Sequence, residues 1–283
     1  MTTKTSDYYR YRKLTEGVPG MEENYVRIKR KRHEDLAESD RAVSGIGDIL
    51  KCIDRLIDLT CTPRTIAVVG CGPNPVTLVE LLKLNFDAIG VEPVEESLQA
   101  AQKFLGDESR IKHGSAEALP FPQNSQCIVI MESVLEHVDS PAKSLSEAYR
   151  VIVPGGVLFI RTTNRWHFSP FGRNFEYQVP FYNWFPNIVK ESYVFKHLHY
   201  QPSLAKYSPR PAVHWFTYPE LCSLGRQAGF AQFYSPMDIA NLDFGSANSS
   251  LWKQLLDQLR RNPWLRALNL TQIGGDIYMW KRK

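Results

Sequence analysis

The spacing of apolar positions changes along the chain, and each change marks an element. From Val43 to Leu59, residues Ile46, Ile49, Leu50, Ile53, Leu56 and Ile57 recur along one face and predict an amphipathic helix. Thr60 to Thr65 links it to the continuous run Ile66-Ala-Val-Val69, which reads as a buried strand. Gly70-Cys-Gly-Pro-Asn-Pro75 follows, and apolar residues resume at helical spacing from Val76 to Leu84. Asn74 is expected to cap that helix, with Pro75 at its first position. Ile89-Gly-Val-Glu92 is a second strand ending in a carboxylate, and a short strand lies near Arg110. Gln126-Cys-Ile-Val-Ile-Met-Glu132 is a fourth strand, and Ser133 to Val138 turns away from it. A helix from Leu145 ends in the turn Pro154-Gly-Gly156, and Val157-Leu-Phe-Ile-Arg161 is a fifth strand.

A strand, a glycine turn, a helix and a second strand ending in an acid make half of a nucleotide-type site. In such sheets ligands sit at the carboxyl ends of the strands. Gly70 and Gly72 permit unusual backbone angles and leave room for a ligand to approach the main chain. The helix presents its first amides to that ligand. Glu92 lies about twenty residues beyond Gly72, the spacing at which a carboxylate reaches a ribose diol. A nucleoside-containing cofactor follows. The NAD version of this turn wants a third glycine, and Pro75 occupies that place.

Three further segments separate the cofactors: Ala118-Leu-Pro-Phe121, Val134-Leu-Glu-His-Val138 and Tyr149-Arg-Val-Ile-Val-Pro-Gly-Gly156. In this order and spacing, residues 64–164 or so resemble the class I S-adenosylmethionine-dependent methyltransferases, in the branch of the ubiquinone and menaquinone methylases. The resemblance implies an α/β, Rossmann-like, mostly parallel seven-stranded sheet with helices on both faces and an antiparallel closing strand. It also implies S-adenosylmethionine as cofactor, lying across the tips of the first four strands. Gly70, Cys71, Gly72 and Pro73 would line the methionine end, and Glu92, with Pro93 beside it, would take the ribose hydroxyls. Ser115 and Ala116 would meet the adenine edge, while Glu132 and Ser133 would border the sulfonium. The chain departs from the family at four places. Val68 stands where an acidic residue is usual, Asn74 where the third glycine falls, Ser115 for the adenine-binding aspartate and Cys127 for an aspartate opening the fourth strand.

At 283 residues, the chain suits one α/β domain with an elaboration. Four stretches are expected: an N-terminal arm over residues 1–40, a cofactor-binding core over 41–163, a cap over 164–214, and the remaining core with a C-terminal helix and strand over 215–283. The arm carries Tyr8, Tyr9, Tyr11 and Tyr25, suited to folding over a ligand or packing on the domain. Met1 to Arg12 lacks the pattern of a signal sequence, and no apolar run has the length of a membrane span. Cys52, Cys61, Cys71, Cys127 and Cys222 form no CxxC pair, which points to a reduced, cytoplasmic setting. A net charge of +4 does not mark a nucleic-acid binder. The dense basic run Arg27-Ile-Lys-Arg-Lys-Arg-His33 reads as a solvated helix face, with RNA or anionic lipid as the sharper alternative. Arg260, Arg261 and Arg266 surround Trp264, after an amphipathic helix from Leu251 that Pro263 should end or kink. They keep peripheral membrane contact open.

After Arg161 the chain turns aromatic. Trp166, Phe168, Phe171, Phe175, Tyr177, Phe181, Tyr182, Trp184, Phe185 and their successors to Tyr218 are about half of its aromatic residues. The only crossover helix required here is Tyr218 to Ala228, ending at Gly229, so the stretch between Asn164 and His214 is an insertion. Insertions at strand ends commonly carry function. This one fits a lid over an apolar or aromatic acceptor, or a mini-core of its own. Arg165 and Arg173 would suit an acidic group on the acceptor, or plain solvation. Gly275 to Lys283 reads as the closing strand.

Transfer of a methyl group from a sulfonium needs alignment above all, and an oxygen acceptor adds a base. His167 and His214 flank the insertion and are the candidate bases, against a structural role for each. His137 suits structural support. His197 and His199 lack companion ligands, so no metal is expected. The leading expectation is an enzyme methylating a small, largely apolar or aromatic acceptor on oxygen. The alternatives are a lipid-linked or glycan acceptor, and, from Val68, Asn74 and Ser115, a non-catalytic cofactor-binding protein.

Overall fold

The computed structural model describes residues 44–57, 65–167, 181, 184–186, 189, 212, 214–240, 262–273 and 275–282. The expected N-terminal arm, the basic run at 27–33, most of the cap, His197, His199, and the segment from Leu251 to Arg261 lie outside the described residues.

Helix α1 (Ser44–Leu56) precedes β1 (Thr65–Val69), α2 (Val76–Lys83), β2 (Asp87–Glu92), α3 (Glu95–Leu105) and β3 (Ile111–His113). Then come β4 (Gln126–Glu132), α4 (Pro141–Val151), β5 (Ile152–Arg161), α5 (Tyr218–Ala228), β6 (Gln232–Tyr234), α6 (Pro236–Ala240), α7 (Pro263–Ile273) and β7 (Asp276–Trp280). The strands form one seven-stranded sheet in the order β3-β2-β1-β4-β5-β7-β6. β1 to β5 pair in parallel, and β7 enters antiparallel between β5 and β6. The order reverses direction at β1, whose neighbours are β2 and β4. Such a switch point opens a crevice at the strands' carboxyl ends.

The continuous apolar runs of β1, β4 and β5 are explained by burial on both faces. Alternate residues serve opposite cores. Ile66, Val68, Ile128, Ile130, Val157 and Phe159 pack against α1, α2 and α3 through Ile49, Ile53, Leu78, Leu81 and Leu98. Ala67, Val69, Val129, Met131, Leu158 and Ile160 pack against α4 and α5 through Leu145, Ala148, Leu221 and Cys222. The helices on both faces therefore follow from strand periodicity alone.

Four local expectations need correction. Pro75, not Asn74, is the cap of α2: it sits at φ −81 and ψ 62, outside the helical well, and no side chain caps the helix. Helix α4 starts at Pro141, because the Ser140 side chain accepts from the Lys143 amide. The Pro154-Gly-Gly156 turn lies inside β5, where the register against β4 shifts between Gln126 and Ile128. Pro263 opens α7, with Asn262 Oδ1 accepting from the amides of Trp264 and Leu265. A proline fits that first turn because its missing N–H had no partner to lose.

Candidate active site

The turn after β1 is held by the end of β2. The amides of Gly70 and Cys71 both donate to the Val91 carbonyl, at 2.7 and 3.2 Å. Gly70 and Gly72 have φ of +66 and +68, which only glycine adopts readily. At Gly70 the missing side chain does not make room for a ligand, as expected, but for Val134: a Cβ there would lie 2.7 Å from Val134 Cγ2. Gly90 does similar service below, where a Cβ would meet Cys71 Sγ at 2.9 Å. Burial, reinforced by the charge of Glu92, pushes the Cys71 thiol far up, so it is no nucleophile.

Glu92 ends β2 and is 5% exposed. One carboxylate oxygen accepts from the Gly72 amide at 2.9 Å and the other from the Val94 amide at 3.1 Å. The Glu92 carbonyl accepts from the Gly114 amide. One residue thus joins the glycine turn to the chain leading to Ser115. Ser115 pairs with Ala118 in an isolated bridge and is half-buried. The Ala116 methyl is packed in the core beside Val91 and Leu119. Pro93 is exposed, and its carbonyl meets His113 Nε2 at 3.2 Å.

A cleft of about 220 Å³ opens over the turn, lined by residues 68–78 with Glu132 and Ser133. The structure brings Gly70, Cys71, Gly72, Pro73, Glu132 and Ser133 together there. Glu92, Pro93, Ser115 and Ala116 sit on the neighbouring strand ends, outside its lining. Ser133 has φ +54, left-handed for a non-glycine residue, and its amide donates to the Arg161 carbonyl. Strain of this kind collects at functional sites.

The sequence reading missed three residues. Glu132 Oε2 accepts from Thr77 Oγ1 at 3.1 Å, and Oε1 accepts from Arg161 Nη1 at 2.8 Å. Arg161 also forks onto Asp276, at 3.1 and 3.0 Å. Asp276 and Glu132 hold the guanidinium's pKa above its usual value despite burial, which acts the other way. Register was the missing signal: Arg161 is the cross-strand partner of both Glu132 and Asp276.

The two candidate bases flank a seam. Asn164 bridges Phe216, the Arg165 amide donates to the Phe216 carbonyl, and Thr163 Oγ1 donates to the His214 carbonyl at 2.8 Å. Both ends of the insertion are thereby pinned beside the carboxyl end of β5. His214 Nε2 donates to the Val138 carbonyl at 2.9 Å, which leaves Nδ1 as the basic nitrogen. Burial lowers its pKa. His167 is half-buried, its amide bonded to the Asn164 carbonyl. Behind the seam, Glu136 is 1% exposed and accepts from Thr162 Oγ1 at 2.7 Å.

Sheet order, glycine turn, acidic β2 terminus and cleft together define a class I methyltransferase fold. Residues 67–160 match the methyltransferase domain family. Over about a third of its length, therefore, the chain is similar to methyltransferase domains. It is similar to a probable S-adenosylmethionine-dependent methyltransferase of Mycolicibacterium smegmatis, 43% identical over 39% of this chain and 42% of that protein. It is also similar to the demethylmenaquinone methyltransferase of Lactiplantibacillus plantarum, 25% identical over 68% of this chain and 75% of that protein. The first relatives are matched over only about two fifths of their length. Among solved structures, the plantazolicin methyltransferase BamL, in complex with a triazolic desmethylPZN analog and SAH, shares the fold. It has a TM-score of 0.55 and 14% identity, covering 99% of this chain and 97% of its own.

Proposed function

We propose that this chain transfers the methyl group of S-adenosylmethionine to a small, largely apolar or aromatic acceptor, on oxygen. The observation that carries the reading is the Glu92 carboxylate tied to the Gly72 amide beside a cleft at the sheet's switch point. S-adenosylmethionine supplies, when bound, a methyl group already activated on a sulfonium.

The residues present fit that group. The start of α2 offers backbone amides, Glu92 offers a carboxylate at the end of β2, and Glu132 offers charge inside the cleft. Ser115 and Ala116 would meet the adenine edge. The protein's share of the chemistry is orientation and exclusion of water. His214, whose Nε2 donates to the Val138 carbonyl at the seam, is the first candidate base. His167, on the other side of the seam, is the second candidate base. The aromatic sequence of the cap would suit an apolar acceptor.

A second reading gives the acceptor a lipid anchor. It is supported by α7, where Trp264 is 83% and Leu268 66% exposed, and by Arg260 and Arg261 shortly before it in the sequence. Among the described residues no helix is long and apolar enough to cross a membrane, so contact would be peripheral. A cytoplasmic setting agrees with the free thiols of Cys52, Cys71, Cys127 and Cys222.

Screening phenolic, quinone-like and lipid-linked acceptors with labelled S-adenosylmethionine tests the proposal. Label in a phenolic or quinol product supports the first reading. Label found only in vesicle-borne acceptors supports the second. Transfer only to protein or RNA contradicts both.

A further inference from the structure

Helix α7 presents two unlike faces. On one, Leu270 packs against the core and Arg266 pairs with Asp238 at 3.2 Å. On the other, Trp264 and Leu268 stand four residues apart, hence side by side, with Leu265 next to them, and all three are exposed.

Asn164 ties this helix to the start of the cap. Its Nδ2 donates to the carbonyls of Leu270 and Thr271, both at 3.0 Å, and its Oδ1 accepts from the Trp166 amide at 3.1 Å. Trp166 is itself an exposed aromatic residue. The helix leads into β7, where Asp276 faces Arg161 at the end of β5, and Arg161 faces Glu132 in the lining of the cleft. Trp166 and the end of α7 therefore stand at the same end of the sheet as the cleft.

Charge narrows the partner this edge fits. Asp276, Asp238 and Glu220 each pair with an arginine, namely Arg161, Arg266 and Arg165. Between Asp257 and Asp276 the sequence holds Arg260, Arg261 and Arg266 and no acid. Arg261 is three residues from Trp264, so their Cα atoms are at most about 11 Å apart. Tryptophan and leucine beside arginine make the composition of helices that lie in a membrane interface. Four apolar side chains cannot supply the roughly 800 Å² per partner of a stable dimer, whereas insertion into lipid adds up side chain by side chain.

Resting on the lipid-anchored reading given above, we infer that α7 and Trp166 dock on an anionic lipid surface and turn the cleft's end of the sheet toward an acceptor held in the bilayer. Asn164 is the positioning residue that holds the two parts of the surface together. Docking raises the local concentration of that acceptor at the cap.

The test is co-sedimentation of the full chain with vesicles of phosphatidylcholine alone, and of phosphatidylcholine with phosphatidylglycerol in equal parts. The parent is expected to bind the anionic vesicles and to release as salt is raised. The double variant Trp264→Ser, Leu268→Ser should lower the bound-to-free ratio by about tenfold or more. Its urea midpoint and S-adenosylhomocysteine affinity should stay near the parent's. If that variant does not fold, quenching of tryptophan fluorescence by brominated lipid decides instead, and it should drop in Trp264→Phe. Parent-like binding in the double variant, or parent-like quenching in Trp264→Phe, overturns the inference. So does a parent that binds neither vesicle, or both equally. A parent dimer that the double variant abolishes would assign the face to a second copy and also overturn it. Absence of label in any vesicle-borne acceptor, from a parent that binds anionic vesicles, would instead overturn the reading of the acceptor and not the docking.

Discussion

Gly72 and Glu92 stand twenty residues apart and are joined by a 2.9 Å hydrogen bond from the amide of one to the carboxylate of the other. The bond ties the turn after β1 to the end of β2, beside the cleft. A carboxylate can serve both Gly72 and Val94 because its two oxygens only accept. An amide would place a donor against one of those N–H groups. Glu92→Ala should therefore abolish measurable cofactor binding, and Glu92→Gln should weaken it by tenfold or more, on the order of a lost charged hydrogen bond. Calorimetric titration with S-adenosylhomocysteine checks both, and parent-like affinity in Glu92→Ala would remove Glu92 from the site.

Gly70→Ala should destabilise the fold. The new methyl meets Val134 at 2.7 Å, and the backbone is left-handed at φ +66. Together these cost about 1–3 kcal/mol. A lower urea midpoint is expected, and Gly70→Ala combined with Val134→Ala should recover the steric part only.

Lys281 is 7% exposed, and its ammonium donates to Asn124 Oδ1 and to the carbonyls of Tyr149 and Ile152, at 2.7–2.8 Å. Lys281→Met keeps the bulk and strands those acceptors. A loss of about 1–3 kcal/mol is expected in denaturant unfolding. An unchanged midpoint would mean that the carbonyls find other partners.

His214 makes stability depend on pH in one direction. Burial holds its folded pKa below the unfolded value of 6.5, the nearby His137 works the same way, and the Val138 carbonyl and Asp139 oppose them. Above that value both states are neutral and nothing changes. As pH falls below it, the unfolded chain takes up the proton first, so stability drops until the folded pKa is reached. His214→Asn should flatten the urea midpoint between about pH 7 and 5 relative to the parent. A steeper dependence in the variant would reverse the sign argued here.

His214→Ala and His167→Ala separate binding from turnover. A base acts on the acceptor's proton, so its loss should lower kcat by about 10²–10⁴-fold and leave cofactor affinity near the parent's. If neither variant slows turnover, proton removal lies elsewhere.

Much of this was legible in the sequence. The runs at Ile66–Val69 and Gln126–Glu132 could be read as strands because burial on both faces leaves no alternation to misread. Gly72 and Glu92 could be read because their chemistry depends on a turn and a spacing, both visible in one dimension. Arg161 and Asp276 could not. Their meeting depends on β7 entering antiparallel beside β5, a register that no local pattern encodes. Thr77 was hidden similarly, since a threonine in a helix has many duties. The cap of α5 was readable but passed over: Thr217 and Glu220 form a reciprocal capping box, a spacing printed in the sequence. Asn74 misled for a local reason, as proline at 75 left the helical well and shifted the cap by one position.

The central claim is that the cleft over Gly70–Thr77 binds the methyl-donor cofactor. The most direct measurement is calorimetric titration of the purified chain with S-adenosylmethionine and S-adenosylhomocysteine, with NAD as control. Saturable binding of both methyl-cycle ligands at about micromolar concentration, with none for NAD, is the predicted result. Binding of NAD, or of neither methyl-cycle ligand, would contradict the account.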